Sequence, residues 1–207
     1  MKKATILLCS IIATITVFSQ TPGITWQRSL SGPTIDLYLL TVKTPENEII
    51  SVHSVFSSTG NLTFEKFTAD GVRLWKKVYP GTYLIERALS YSYNSDGSLV
   101  TLFQTGTNLS YKYHVVKIDS DGNLLWEKFL GGTQATIAFS MTKSANGGYL
   151  IVGSTTSNDG DVTGNHGGTD MWLVKINEDG NILWQRSLGG SSDEAKIWYG
   201  KGKLVEI

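Results

Sequence analysis

The stretch "DGNLLWEKFLGG" (121–132) is written again as "DGNILWQRSLGG" (179–190). A phrase that returns at a near-fixed interval marks stacked copies of one supersecondary unit, each covering an apolar side that its neighbour cannot bury alone. Tryptophan sets the interval: Trp26, Trp75, Trp126 and Trp184 lie 49, 51 and 58 residues apart. Ahead of the last three, Gly71, Gly122 and Gly180 each follow an Asp and each stand four residues before the indole. Lys66, Lys117 and Lys175 hold the same register nine residues before it.

Within a unit the pattern is that of strands. The third copy divides into "AFSMTKS" (138–144), "GYLIVGSTT" (148–156), "DMWLVKIN" (170–177) and "NILWQRSL" (181–188), rich in β-branched and aromatic residues and bounded by Gly, Asn or Asp. Asn146-Gly147-Gly148 and Glu178-Asp179-Gly180-Asn181 offer the positive-φ positions that tight hairpins need. Runs such as Tyr149-Leu150-Ile151-Val152 and Ile182-Leu183-Trp184 are almost continuously apolar, which predicts strands covered on both faces. A four-stranded sheet packed between two like sheets meets that condition, and it describes a propeller blade.

The predicted fold class is therefore all-β, a β-propeller-like array of four-stranded antiparallel blades at about 31–80, 81–130 and 131–188. "ITWQRSL" (24–30) reads as an N-terminal strand matching the fourth of a unit, and 189–207 as a partial blade. Trp26, Trp75, Trp126 and Trp184 read as apolar wedges between blades, with Gly71, Gly122 and Gly180 as the matching turn positions. Three blades fall short of the usual 4 to 8. The expectation is part of a longer ring or a truncated product, with a four-bladed ring whose last blade is incomplete as the competing reading. An open form would leave blade edges available for self-association.

The first 19 residues read as a signal peptide: Lys2 and Lys3 precede an uncharged run from Ala4 to Phe18, and small Ser19 stands before Gln20. That run is 15 residues long, short of the roughly 20 that span a bilayer. The expected destination is the cell exterior, surface or periplasm, with no membrane span after cleavage and residues 20–207 forming one domain. Cys9 is the only cysteine, so the mature chain can use neither disulfides nor thiolate metal sites. Without Lys2 and Lys3, 16 basic residues face 18 acidic ones, a net −2 that offers no basic stripe for nucleic acid.

On these residues the chain resembles secreted bacterial β-propeller repeat proteins, whose repeat of about 50 residues reads "GGYLIVGSTTS", a glycine-rich loop, then "DMWLVKINEDGNILWQRSLGG". The third unit matches throughout, the second keeps "HVVKIDSDGNLLWEKFLGG", and the first is eroded to "FEKFTADGVRLWKKVYPG". The resemblance implies a truncated or partial member of that group. "KIDSDGNLLW" is also similar to the tryptophan-docking repeat of quinoprotein propellers, with Asp119 one residue nearer Gly122 than that repeat has it. The Asp-box of sialidase-type propellers sets its Gly three residues before the aromatic, against four here.

The extra length of the third unit lies in "SNDGDVTGNHGGTD" (157–170), at the strand end it shares with the "LGG" connections. Loops so placed carry function on repeat scaffolds. Asp159, Asp161, Asn165 and Asp170 supply hard oxygens suited to Ca²⁺, although the spacing is not that of an EF-hand. The alternative is a solvated turn in which Asp and Asn cap their own backbone. No other cofactor is implied.

Catalysis has thin support. His53, His114 and His166 fall at unlike positions of their units, neither HExxH nor GxSxG occurs, and Asp159, Asp161, Asp193 and Glu194 are the acidic residues from which a glycosidase pair would come. Asn61-Leu62-Thr63 and Asn108-Leu109-Ser110 read as ordinary loop residues despite matching the glycosylation pattern. The expected function is a non-catalytic exported segment presenting a loop face to a protein or surface glycan. A fragment of a propeller enzyme, quinoprotein-like or polysaccharide-cleaving, is the alternative, and a spacer without activity the third reading.

Overall fold

The computed structural model describes residue 27 and residues 35–56, 60–81, 85–107 and 110–193. The predicted signal peptide, Trp26 with most of its strand, Asn108 and the segment from Glu194 onward lie outside them.

Among the described residues, twelve strands form three four-stranded antiparallel sheets. The first holds β1 (Ile35–Lys43), β2 (Ile49–Phe56), β3 (Asn61–Phe67) and β4 (Arg73–Tyr79) in that order. The second holds β5 (Ile85–Tyr93), β6 (Leu99–Thr107), β7 (Ser110–Ile118) and β8 (Leu124–Leu130). The third holds β9 (Thr136–Lys143), β10 (Tyr149–Thr155), β11 (Asp170–Ile176) and β12 (Ile182–Leu188). No helix occurs among the described residues. The protein is all-β with propeller-like blades: β5 packs against β1 and β2 on one side and against β9 on the other. Asn61 opens β3, a strand position where the sequence suggests a loop.

The connections joining the first to the second and the third to the fourth strand of each sheet share one turn. In Thr44–Glu48, Thr68–Val72, Asn94–Ser98, Asp119–Asn123, Ser144–Gly148 and Asn177–Asn181, the first N–H donates to the fifth carbonyl and the fourth N–H to the first. The fourth residue has φ between 64° and 81°, which Asn or Gly adopts at little cost. The first is Thr, Asn, Asp or Ser; Thr44, Thr68, Asp119 and Asn177 use a side-chain oxygen to accept the fifth N–H.

The middle sheet is covered on both faces. Val100, Leu102, Tyr113 and Val115 pack with Tyr149, Ile151, Trp172 and Val174 of the third sheet. Their alternating neighbours Leu99, Phe103, Val116 and Ile118 pack with Val42, Ile50, Val52 and Phe64 of the first. Each such side chain taken from water contributes about 1.5–3 kcal/mol.

The fourth strands depart from the expectation of two covered faces. Leu74, Leu125 and Leu183 are about half exposed, Leu183 at 59%. The reason is a β-bulge repeated in every unit: Lys66, Lys117 and Lys175 pair with Trp75, Trp126 and Trp184, yet the next pairs, Phe67 with Arg73, Ile118 with Leu124 and Ile176 with Ile182, skip the residue before the Trp. The skipped Leu turns outward and the indole is re-aimed at the following sheet.

Trp75 donates its Nε1–H to the Ser120 carbonyl at 3.3 Å, and Trp126 does the same to Glu178 at 3.0 Å; these acceptors are equivalent turn residues one sheet further on. Two residues on, Lys77 reaches Asn123 Oδ1 at 3.0 Å and Lys128 reaches Asn181 Oδ1 at 3.3 Å. The Asp-Gly glycine is thus fixed twice. A Cβ on Gly122 would come 2.9 Å from Trp75, and one on Gly180 would come 3.0 Å from Trp126. The wedge expected between sheets exists at Trp75 and Trp126; Trp184 has no such acceptor among the described residues and is 45% exposed.

Candidate functional site

The connection from Thr156 to Thr169 joins β10 to β11 and lies over the connection from β8 to β9. Asp159 Oδ1 accepts from Thr133 N at 2.8 Å and its Oδ2 from the Thr133 hydroxyl at 2.7 Å. Those bonds, the hydroxyl first, hold its carboxyl below the usual carboxylate value. Ser157 Oγ accepts from Gln134 N, and Asp161 Oδ2 from Gly131 N at 3.1 Å. The glycines of "LGG" make this contact feasible, since a Cβ on Gly132 would fall 2.2 Å from Asp159 Oδ1 and 2.5 Å from Ser157.

The rest of the loop is tied to its own sheet. Val162 is fully buried as a plug in the core between the second and third sheets. The Thr163 carbonyl accepts from Gln185 Nε2 and from the Ser187 hydroxyl at 3.0 Å, while Gln185 Oε1 takes the Trp172 Nε1–H at 2.7 Å. Asn165 donates to the Thr155 carbonyl and accepts from Gly167 N. Thr169 N donates to Asp193 Oδ1 at 3.0 Å.

His166 and Asp170 lie side by side in the loop. Asp170 is fully buried, and its Oδ2 lies 3.0 Å from both the His166 main-chain N and ring Nδ1. The ring itself is mostly exposed. A buried carboxylate that fixes one imidazole nitrogen and leaves the other toward solvent orients the ring for hydrogen bonding or proton transfer.

The four residues read as Ca²⁺ ligands fall into three separate hydrogen-bond sets: Asp159 and Asp161 on the 131–133 connection, Asn165 on its own loop, Asp170 on His166. Among the described residues, no three His, Cys, Asp or Glu side chains are grouped as a metal site. The geometry is that of side-chain oxygens capping backbone: Thr133 is the partner of Asp159, and Ser157 caps Gln134, neither of which the sequence singled out. Gly132 was the available signal, because a paired glycine opposite an Asp-rich loop marks close approach of two backbones.

His114 is a packed residue. It stacks on Phe129 with centroids 4.1 Å apart, and its Nε2 lies 2.9 Å from Glu127 Oε2. That contact keeps the Glu127 carboxyl below its ordinary value. His53 is likewise buried. Of the acidic residues considered for glycoside cleavage, Asp159 and Asp161 engage the neighbouring connection, Asp193 caps Thr169, and Glu194 is outside the described residues.

No protein-family model matches the chain, and no curated protein does. Among solved structures it is similar to a mutant NanB sialidase from Streptococcus pneumoniae, at TM-score 0.45 and 19% identity over 72% of this chain and 23% of that one. It is also similar to a mutant Synechocystis apocarotenoid oxygenase, at TM-score 0.45 and 11% identity over 72% of this chain and 38% of that one. The chain thus spans well under half the length of either, and those activities belong to those proteins.

Proposed function

We propose that the protein is an exported, non-catalytic binding scaffold whose blades present the Thr156–Thr169 loop face to a protein or surface glycan. The observation that carries this reading is the anchoring of that loop. Val162 is buried beneath it and Asp159, Asp161, Asn165 and Asp170 bind backbone around it, while Asn158, Thr163, Gly164 and His166 stay exposed. A surface held in one conformation loses little freedom on binding, so modest polar contacts suffice. The full chain is to be screened on a surface-polysaccharide array beside Asn158→Ala and His166→Ala. Loss of a signal in both variants, with unchanged circular dichroism, supports the loop face; a blank array for the native chain favours a spacer.

The His166–Asp170 pair favours one second reading, a fragment of a propeller enzyme in which His166 acts as a base. Turnover of chromogenic glycosides that vanishes in His166→Ala supports it, and no turnover removes it.

A further inference from the structure

Three residues by which the first unit departs from the repeat collect on the outer strand of its sheet, β4, and the turn that leads into it. Strand pairing makes Lys76 and Val78 the counterparts of Glu127 and Phe129 in β8 and of Gln185 and Ser187 in β12. At the fifth turn position Val72 stands where the later units have Asn123 and Asn181. Packing does not call for these changes, because Val72 is 61% and Val78 50% exposed, and the Lys76 side chain 42%. Leu74, turned outward by the bulge, is 48% exposed. The strand thus shows solvent aliphatic groups and cations in alternation: Val72, Arg73, Leu74, Lys76 and Val78. Lysine on an outer strand discourages edge-to-edge pairing, which accounts for the cations but not for the aliphatic side chains between them.

We infer that β4 is a docking edge for an anionic lipid surface, its aliphatic groups entering the boundary between headgroups and acyl chains and its cations meeting headgroup phosphates. The charge is arranged for this. Arg73 and Lys76 lie 3.2 and 3.4 Å from the Glu65 carboxylate, which is 2% exposed, so the cations and not their partner face solvent. Lys77 adds a third cation, bonded to the neutral Asn123 Oδ1. β4 carries no acidic residue, and Asp70 stands in the turn before it. Trp75 and Tyr79, the aromatic residues of the strand, are spent on the Ser120 and Gly122 carbonyls of the second sheet. The edge therefore offers no aromatic anchor of the kind that dominates protein interfaces, and it suits a fluid surface that needs no complementary shape. Antiparallel pairing with β4 of a second copy would set cations against cations. The loop at 156–169 belongs to the third sheet, so this surface is separate from the loop face.

The test sediments the full chain with vesicles of phosphatidylcholine alone and of phosphatidylcholine mixed with phosphatidylglycerol. Binding to the mixed vesicles is expected, weakened at least about tenfold by Leu74→Ser with Val78→Ser, by Lys76→Gln and by raised salt. The substituted side chains are half exposed, so the variants fold, and melting curves check this. Asn158→Ala and His166→Ala, which probe the loop face, are expected to bind vesicles as the native chain does, so the two readings fail separately. No binding overturns the inference. So does binding that is equal in the variants or on both vesicle types, which assigns it to the apolar run near the N-terminus, and so does dimerisation abolished by Val78→Ser, which places a second copy on the strand.

Discussion

Trp126 in the second sheet gives its indole N–H to the main-chain oxygen of Glu178 in the third, 3.0 Å away, and Trp75 repeats the relationship with Ser120 one sheet earlier. The repeating phrase is therefore two halves of one contact: the Trp of a unit and the Asp-Gly turn of the next. Trp126→Phe keeps most of the packing and loses the hydrogen bond, an expected cost of about 1 kcal/mol. Trp126→Ala is expected to cost about 3 kcal/mol, and Trp184→Ala, whose indole is 45% exposed, under about 1 kcal/mol. Urea unfolding of the three variants checks the order.

Gly180 and Gly147 share a φ near 80° but not their surroundings. A Cβ at Gly147 meets nothing within 4 Å, whereas one at Gly180 meets Lys128 at 2.8 Å and Trp126 at 3.0 Å. Gly147→Ala is expected to cost about 1 kcal/mol for backbone strain alone, and Gly180→Ala about 2–4 kcal/mol because overpacking adds to it. Equal losses in chemical denaturation would refute the close-contact account.

Acid should loosen the junction between the second and third sheets. Burial raises the Glu178 carboxyl, but the Gly148 N–H and the Tyr149 hydroxyl outweigh it, with Lys143 and Lys117 adding to them, so its value lies below the ordinary 4.5. The unfolded chain then takes up that proton first as pH falls. The stabilisation is whole above about pH 4.5 and drains as pH drops through the folded-state value. Melting temperatures from pH 6 to about 3 are expected to fall less steeply for Glu178→Gln than for the native chain.

Val162 anchors the long loop to the core. Val162→Ala removes two buried methyl groups and is expected to cost about 2 kcal/mol. Hydrogen exchange should rise at Asp161 and Val162 more than in β10 or β11; uniform change across the third sheet would show that the loop is not held separately.

Ca²⁺ is expected to leave the melting temperature unchanged at about 1–10 mM, because the Asp159 and Asp161 oxygens already accept backbone and hydroxyl protons. An upward shift abolished by Asp159→Asn would establish an ion-bound loop.

Strand number, antiparallel pairing and the turn glycines were legible in the sequence because they rest on local rules: period-two alternation, Asx and Gly at fixed turn offsets, and a Trp held in register. The bulge before each Trp was not legible, since "LLW" and "ILW" have the composition of a fully covered strand and only the pairing of Lys117 with Trp126 and Ile118 with Leu124 reveals the skipped residue. The loop was legible as a candidate site from its length and acidic residues. Which partner each carboxylate takes was not, because Thr133 and Gly131 lie 26 and 30 residues away in the chain.

By itself, then, the sequence determined the unit: four short strands, hairpins closed by positive-φ residues, and an apolar content too large for one sheet to hide. The tertiary structure decided where the Trp and Lys of the first two units find their acceptors, and that among the described residues Trp184 and Lys175 have none. The physical reason is range. Turn geometry and side-chain alternation are set by neighbours a few residues apart, whereas a buried N–H or ammonium group is satisfied only by a carbonyl that packing brings from some fifty residues further along the chain.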